Sequence, residues 1–253
     1  MTSVVLCTRG RSFPRRLAVA ISLSLLALQP QPAIAGRVGG GGSHTIMPGD
    51  PIEGWIVIND STLIVGPGAE TEEIEAQSQS HIELDGATAN VSAGNTLGAV
   101  RLVNASATIT GSRITSSGGD GFVATVDVND PIRSMAAVTG SHIEGLGRGA
   151  LVVGSNVTFS GTAIIGHDTI PSSGGGGLQL NAGSAEVLAG SVIKGDVTGV
   201  RMWQADVSHP SQSPSLFIDG SRIESGTGSA IVVESLSSDA SRSDIILRNG
   251  SGR

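Results

Sequence analysis

Apolar and polar side chains alternate over short stretches of this chain. Phe122, Ala124, Val126 and Val128 form one such set, Val157 and Phe159 another, and Val200 with Met202 and Ile245 with Leu247 two more. A period of two places these side chains on one face of a β-strand. The residues are mostly Val, Ile and Thr, whose branching suits a pleated surface. Each run is short and bounded by Gly, Ser, Asn or Asp, which supply turns. No long stretch has convincing helical periodicity; the best helix candidate is the acidic, weakly amphipathic segment from Glu70 to Gln79.

The strands recur in a repeat. Gly, then Ser or Thr, then one free position, then Ile occurs at Gly111–Ile114, Gly140–Ile143, Gly161–Ile164, Gly190–Ile193 and Gly220–Ile223, with glycines 29, 21, 29 and 30 residues apart. A second phrase, Gly followed by an apolar run, advances in phase at Gly98, Gly121, Gly149, Gly177, Gly199 and, more loosely, Gly228. Chance recurrence of Gly-Ser would not keep two phrases in step. Self-similarity at this period marks a repeat architecture, and a unit with two or three short strands cannot bury its own apolar face. Stacked units can. The expectation is an all-β solenoid, a parallel β-helix of about 7–8 coils over residues 52–253, in which one phrase makes the same corner on every coil. A β-sandwich or antiparallel barrel also has regularly spaced short strands, but gives no reason for the phrase to recur in phase. The variable stretches Asp127–Met135, His167–Gly176 and Ser208–Ser215 read as loops protruding from the stack and as the places to look for recognition.

Residues 1–35 read differently. Arg9, Arg11, Arg15 and Arg16 precede an apolar core from Leu17 to Leu28, and Ala33-Ile34-Ala35 has small-x-small form. This is the three-part pattern of a secretory signal peptide, with a core too short to span a bilayer comfortably. Removing those four arginines leaves 11 basic residues against 22 acidic ones, a net charge of −11. Such a surface has no basic footprint for nucleic acid or anionic lipid. The only cysteine, Cys7, lies in the signal, so a mature exported chain would be held by burial and backbone hydrogen bonds rather than disulfides. Residues 36–51, with Gly39–Gly42, read as a flexible leader. Trp55–Ile58 and Leu63–Val65 read as a capping strand pair. Ile245–Leu247 followed by Asn249-Gly250-Ser251 opens a further copy of the repeat, from which a chain cut short at its C-terminal end is expected.

Candidate chemistry is sparse. The best carboxylate cluster is Asp120, Asp127 and Asp130, but Asp127-Val128-Asn129-Asp130-Pro131 has the form of an Asx turn entering a proline. The one lysine, Lys194, stands beside Gly195 and Asp196 and looks isolated. His44, His81, His142, His167 and His209 are scattered, without metal-ligand spacing. No Gly-x-Ser-x-Gly elbow occurs. Gly118-Gly119-Asp120-Gly121 and Gly226-Thr227-Gly228 lack the register of a calcium-binding nonapeptide repeat and the strand–turn–helix context of a phosphate loop. The expectation is therefore no catalytic residue, no metal and no cofactor.

In its signal, its cysteine-free acidic body and its Gly-Ser-x-Ile coils, as in Ile218-Asp219-Gly220-Ser221-Arg222-Ile223-Glu224 and Asn156-Val157-Thr158-Phe159-Ser160, the chain resembles pertactin-type autotransporter passengers over roughly residues 36–253. The resemblance implies a right-handed, pectin-lyase-like parallel β-helix, carried to the outer-membrane surface of a Gram-negative bacterium by a C-terminal β-barrel. It implies a monomer that is not an enzyme and that adheres to a host cell or matrix ligand. The chain departs from the family in lacking that barrel and an Arg-Gly-Asp tripeptide. The alternative is a polysaccharide lyase or hydrolase on the same scaffold, which would need acids and bases converging on adjacent coils.

Overall fold

A computed structural model describes residues 36–92, 98–127, 132–167, 176–204, 213–235 and 243–249. The signal segment, Asp130 and most of the three variable stretches lie outside these residues. Every regular element described is a β-strand, and the strands form three parallel sheets. The first sheet stacks Gly36–Val38, Trp55–Val57, Ile74–Gln77, Val100–Val103, Phe122–Thr125, Ala150–Val153, Leu178–Asn181, Val200–Gln204 and Ile231–Ser235. The second runs in the same order from Ser43–Ile46 to Asp244–Arg248. The third contains Glu70–Thr71, Thr88–Val91, Arg113–Ser116, His142–Gly145, Ala163–Gly166, Val192–Gly195 and Arg222–Ser225. The chain visits the sheets in turn and returns one rung further along, which is a right-handed parallel β-helix.

The repeat phrase explains the corner between the second and third sheets. Its glycine turns the chain in the left-handed region, with φ of +58° at Gly140. The following hydroxyl points inward, where Ser112, Ser141, Thr162, Ser191 and Ser221 are all buried. These hydroxyls form a ladder between coils: the Ser112 amide donates to Ser141 Oγ at 3.1 Å, and the Thr162 amide to Ser191 Oγ at 3.1 Å. Each thus satisfies a buried backbone group that a corner would otherwise orphan. The free position faces solvent, and the Ile enters the core. Ile114, Ile143, Ile164 and Ile193 stack in register, each fully buried. The second phrase makes the corner back to the first sheet. A Cβ at Gly149 would lie 2.7 Å from the Gly177 carbonyl oxygen and 2.7 Å from Ile164 Cγ2, so only glycine fits there. The remaining core is a mixed ladder of Val, Leu, Ala and Ile, with Phe122 and Phe159 in an edge-to-face contact at 6.4 Å.

Three expectations need correction. Residues 36–51 are not a loose leader: Gly36–Val38 pairs with Trp55–Val57, and Ser43–Ile46 with Thr62–Val65, so they already belong to the solenoid, with Val38 and Ile46 buried in it; among the described residues the first two sheets hold nine strands each and the third seven. The glycines that suggested a leader form a corner, with Gly40 and Gly41 at positive φ. The strands at Trp55 and Leu63 are not a pair, because they lie in different sheets. The helix candidate is two strands, Glu70–Thr71 and Ile74–Gln77, because Thr71, Ile74 and Ala76 all turn into the stack.

Candidate functional site

Outward residues of the third sheet also stack in register, and there the chemistry collects. Arg113 lies beside His142, and Thr115 beside Glu144. On the next rungs Glu144 lies beside Ile165, and Ile165 beside Lys194. Just past the strand ends, His167 and Asp196 continue the ladder through backbone bonds to Gly145 and Gly166. The result is a groove of about 640 Å³ lined by Asn90, Arg113, Thr115, Glu144, His167 and Asp196, among others.

Glu144 is the hub. His142 Nε2 lies 3.0 Å from its Oε2, and His167 Nε2 2.9 Å from its Oε1. Arg113 Nη2 stands 3.6 Å from Oε2, and Asp196 Oδ2 is 3.4 Å from the other nitrogen of His167. The hydrogen bonds from His142 and then His167 hold the Glu144 carboxyl below the usual range, against the opposing effect of burial. The bond to Glu144 raises His167 above an ordinary imidazole, with Asp196 adding to the shift. A carboxylate flanked by two imidazoles from adjacent coils can take, hold and return a proton, and Arg113 stands at the edge with its side chain 58% exposed, open to an anionic group. Among the described residues no set of three or more His, Asp or Glu is placed to hold a metal ion.

Of the carboxylate cluster read from the sequence, the two described members, Asp120 and Asp127, do not come together. Asp120 and Asp127 flank opposite ends of the strand Phe122–Thr125. Asp120 is occupied: Arg148 donates to both of its oxygens at 2.9 and 2.7 Å, and also to Gln179 Oε1 at 3.0 Å, in a largely buried network. This is a structural clamp between coils. His44 stacks on Trp55 at 4.5 Å, and His81 bonds Ser106 on the second sheet. Sequence reasoning set His142 and His167 aside as scattered, met Asp196 only as a neighbour of Lys194, and missed Glu144 altogether. The repeat itself contained the signal: counted from each phrase glycine, Arg113 and His142 share position two, Glu144 and Lys194 position four, and His167 and Asp196 position six.

No family model matches the chain, and no curated protein matches it. Among solved structures, a double-mutant form of the periplasmic alginate epimerase AlgG aligns with 86% of this chain at 14% identity and a TM-score of 0.54. Its backbone is a β-helix of the same kind. This chain spans 62% of that protein's length. A single-mutant form of AlgG aligns at 12% identity with a TM-score of 0.46, covering 87% and 71% of the two chains. The A-module of a mannuronan C-5 epimerase from Azotobacter vinelandii aligns at 14% and 0.38, covering 87% and 79%.

The expectation of a non-enzymatic chain is corrected here. It rested on the absence of converging acids and bases, and the third sheet brings Arg113, His142, Glu144 and His167 together on adjacent coils. The aligned β-helix of AlgG, moreover, is that of an enzyme.

Proposed function

We propose that the chain is an exported enzyme acting on an acidic polysaccharide, with the third-sheet groove as its active site. The observation that supports this most directly is the Glu144 hub, with one imidazole on each carboxylate oxygen and a guanidinium at its rim. A uronate unit carries a proton on the carbon next to its carboxylate. Removing that proton requires neutralising the carboxylate and a group to receive the proton. Arg113 supplies the first and the imidazole pair on Glu144 the second. His167, raised by Glu144 and Asp196, is the member that holds a proton and returns it. Delivery of a proton to the opposite face of the same carbon gives epimerisation, and loss of the neighbouring glycosidic oxygen gives elimination. Alignment with an alginate epimerase supports the same substrate class. The signal-peptide pattern, together with that neighbour's periplasmic location, supports action outside the cytoplasm.

The test is incubation of the purified chain with polymannuronate, alginate and polygalacturonate, read by proton NMR for inverted uronates and by ultraviolet absorbance for unsaturated ends. Wild type should give one of these products. His167→Gln and Glu144→Gln, folded by circular dichroism, should each lose about 10²-fold or more of the rate. Turnover that survives both substitutions, or no product from any acidic polymer, overturns the reading.

A further inference from the structure

Lys194 is the only lysine in the sequence and sits within the ladder of the third sheet, and among the described residues its ammonium makes no hydrogen bond or ion pair. Its surroundings make that notable. It is exposed on the third sheet between Ile165 and Glu224, and Glu224 is already held by Arg222 at 2.7 Å. Two residues further along the same strand direction, Asp196 is engaged by His167. Arg113, by contrast, leans on the Glu144 hub. Along the solenoid axis four successive rungs present Arg113, then Glu144 with His142, then His167, then Lys194. The proton-handling groups are therefore bracketed by two exposed cations, one on each side.

The geometry points to Lys194 as a second anion-binding subsite, which takes a carboxylate of the polysaccharide away from the reacting unit. This rests on the reading of the groove as an acidic-polysaccharide site. Three rungs at ~4.8 Å and a two-residue offset at ~3.3 Å per residue separate the two backbone positions by about 16 Å. A rung is of the order of one sugar unit in an extended glycan, so Lys194 meets a carboxylate about three units from the one at Arg113. The polymer then lies along the axis, slightly oblique to it, and its register over His167 is set from both ends. An ammonium on a flexible stem suits this task, because it attracts an anion without demanding a fixed planar geometry.

The subsite predicts a dependence on chain length. Binding of oligouronates of two to eight units would be measured by calorimetry on wild type, Lys194→Gln and Lys194→Arg, with turnover followed alongside. Lys194→Gln should leave the affinity for dimers unchanged and weaken that for the longer oligomers about fivefold, the upper range for one exposed ion pair. Lys194→Arg should restore it. The loss should appear in KM with kcat little changed, and should fade at high salt. Equal affinity of wild type and Lys194→Gln for all lengths overturns the subsite while leaving the groove's function standing. Equal weakening at every length, dimers included, also overturns it, since it would mark a general charge effect. Absence of binding by wild type would instead refute the acidic-polysaccharide reading itself.

Discussion

Two glycines of the repeat are fixed by different physics, and substituting alanine at each separates the two. At Gly140 the backbone is left-handed, with φ of +58°, and an added Cβ meets nothing within 4 Å. The cost is conformational alone, about 1–2 kcal/mol. At Gly149 the φ is not in that region, but the Cβ would sit 2.7 Å from the Gly177 carbonyl oxygen, 2.7 Å from Ile164 Cγ2 and 2.8 Å from the Ile165 amide nitrogen. Two of the three neighbours are backbone of adjacent coils, and the third belongs to a fully buried Ile held in its own ladder. None can swing aside, so Gly149→Ala forces the coils apart. Overpacking of this kind costs typically 1–3 kcal/mol, and the rigid surroundings place it at about 3. Urea unfolding followed by circular dichroism would read both substitutions as midpoint shifts at unchanged slope. Gly140→Asn is the control, since Asn tolerates the left-handed region and should recover most of the loss, whereas Gly149→Asn should be worse than Gly149→Ala. If Gly149→Ala unfolds with wild type, or if Gly140→Ala costs more than Gly149→Ala, the account of the corners is wrong.

The Glu144 hub should give stability a particular pH dependence. Glu144 is lowered in the folded chain, so its contribution is present above the unfolded value of 4.5 and is lost as pH falls through the folded value. His167 is raised, so its contribution is full below 6.5 and is lost as pH rises through its folded value. The melting-temperature gap between wild type and His167→Gln should be widest between pH 4.5 and 6.5 and shrink on the alkaline side; a gap that stays constant to pH 9 would count against the ion pair. The Asp120–Arg148 clamp should affect stability without affecting turnover. Asp120→Asn leaves a largely buried guanidinium short of its charge partner and should cost on the order of 3 kcal/mol in urea unfolding, with kcat per folded molecule unchanged. A selective loss of kcat would restore Asp120 to the candidate chemistry.

How much of this was readable from the chain depends on which direction a residue faces. Inward residues repeat, because every coil must fill the same space. Ile114, Ile143, Ile164 and Ile193 are therefore identical, and Ser112, Ser141 and Ser191 return at the same corner beside them. That redundancy made the β-helix legible without any structure. Where the sequence misled, the inward demand was weak or masked. Residues 36–51 have little apolar content, yet Val38 and Ile46 suffice to seat a coil. Outward residues carry no such redundancy. The second, fourth and sixth positions after each phrase glycine read Arg113, Thr115, Ser117 on one coil, His142, Glu144, Leu146 on the next, then Ala163, Ile165, His167 and Val192, Lys194, Asp196. Read along the chain, His142 and His167 are 25 residues apart and look unrelated. Read across the coils, their side chains meet on one carboxylate, because parallel register converts a repeat into a distance of one rung. A functional site on a solenoid is written down the columns of the repeat, at positions where the repeat is broken, and aligning the phrases is enough to place His142, Glu144, His167 and Asp196 side by side. What the alignment lacks is the rotamer choice that turns both imidazoles toward Glu144 rather than toward solvent, and on that choice the proposed proton-handling role of the hub depends.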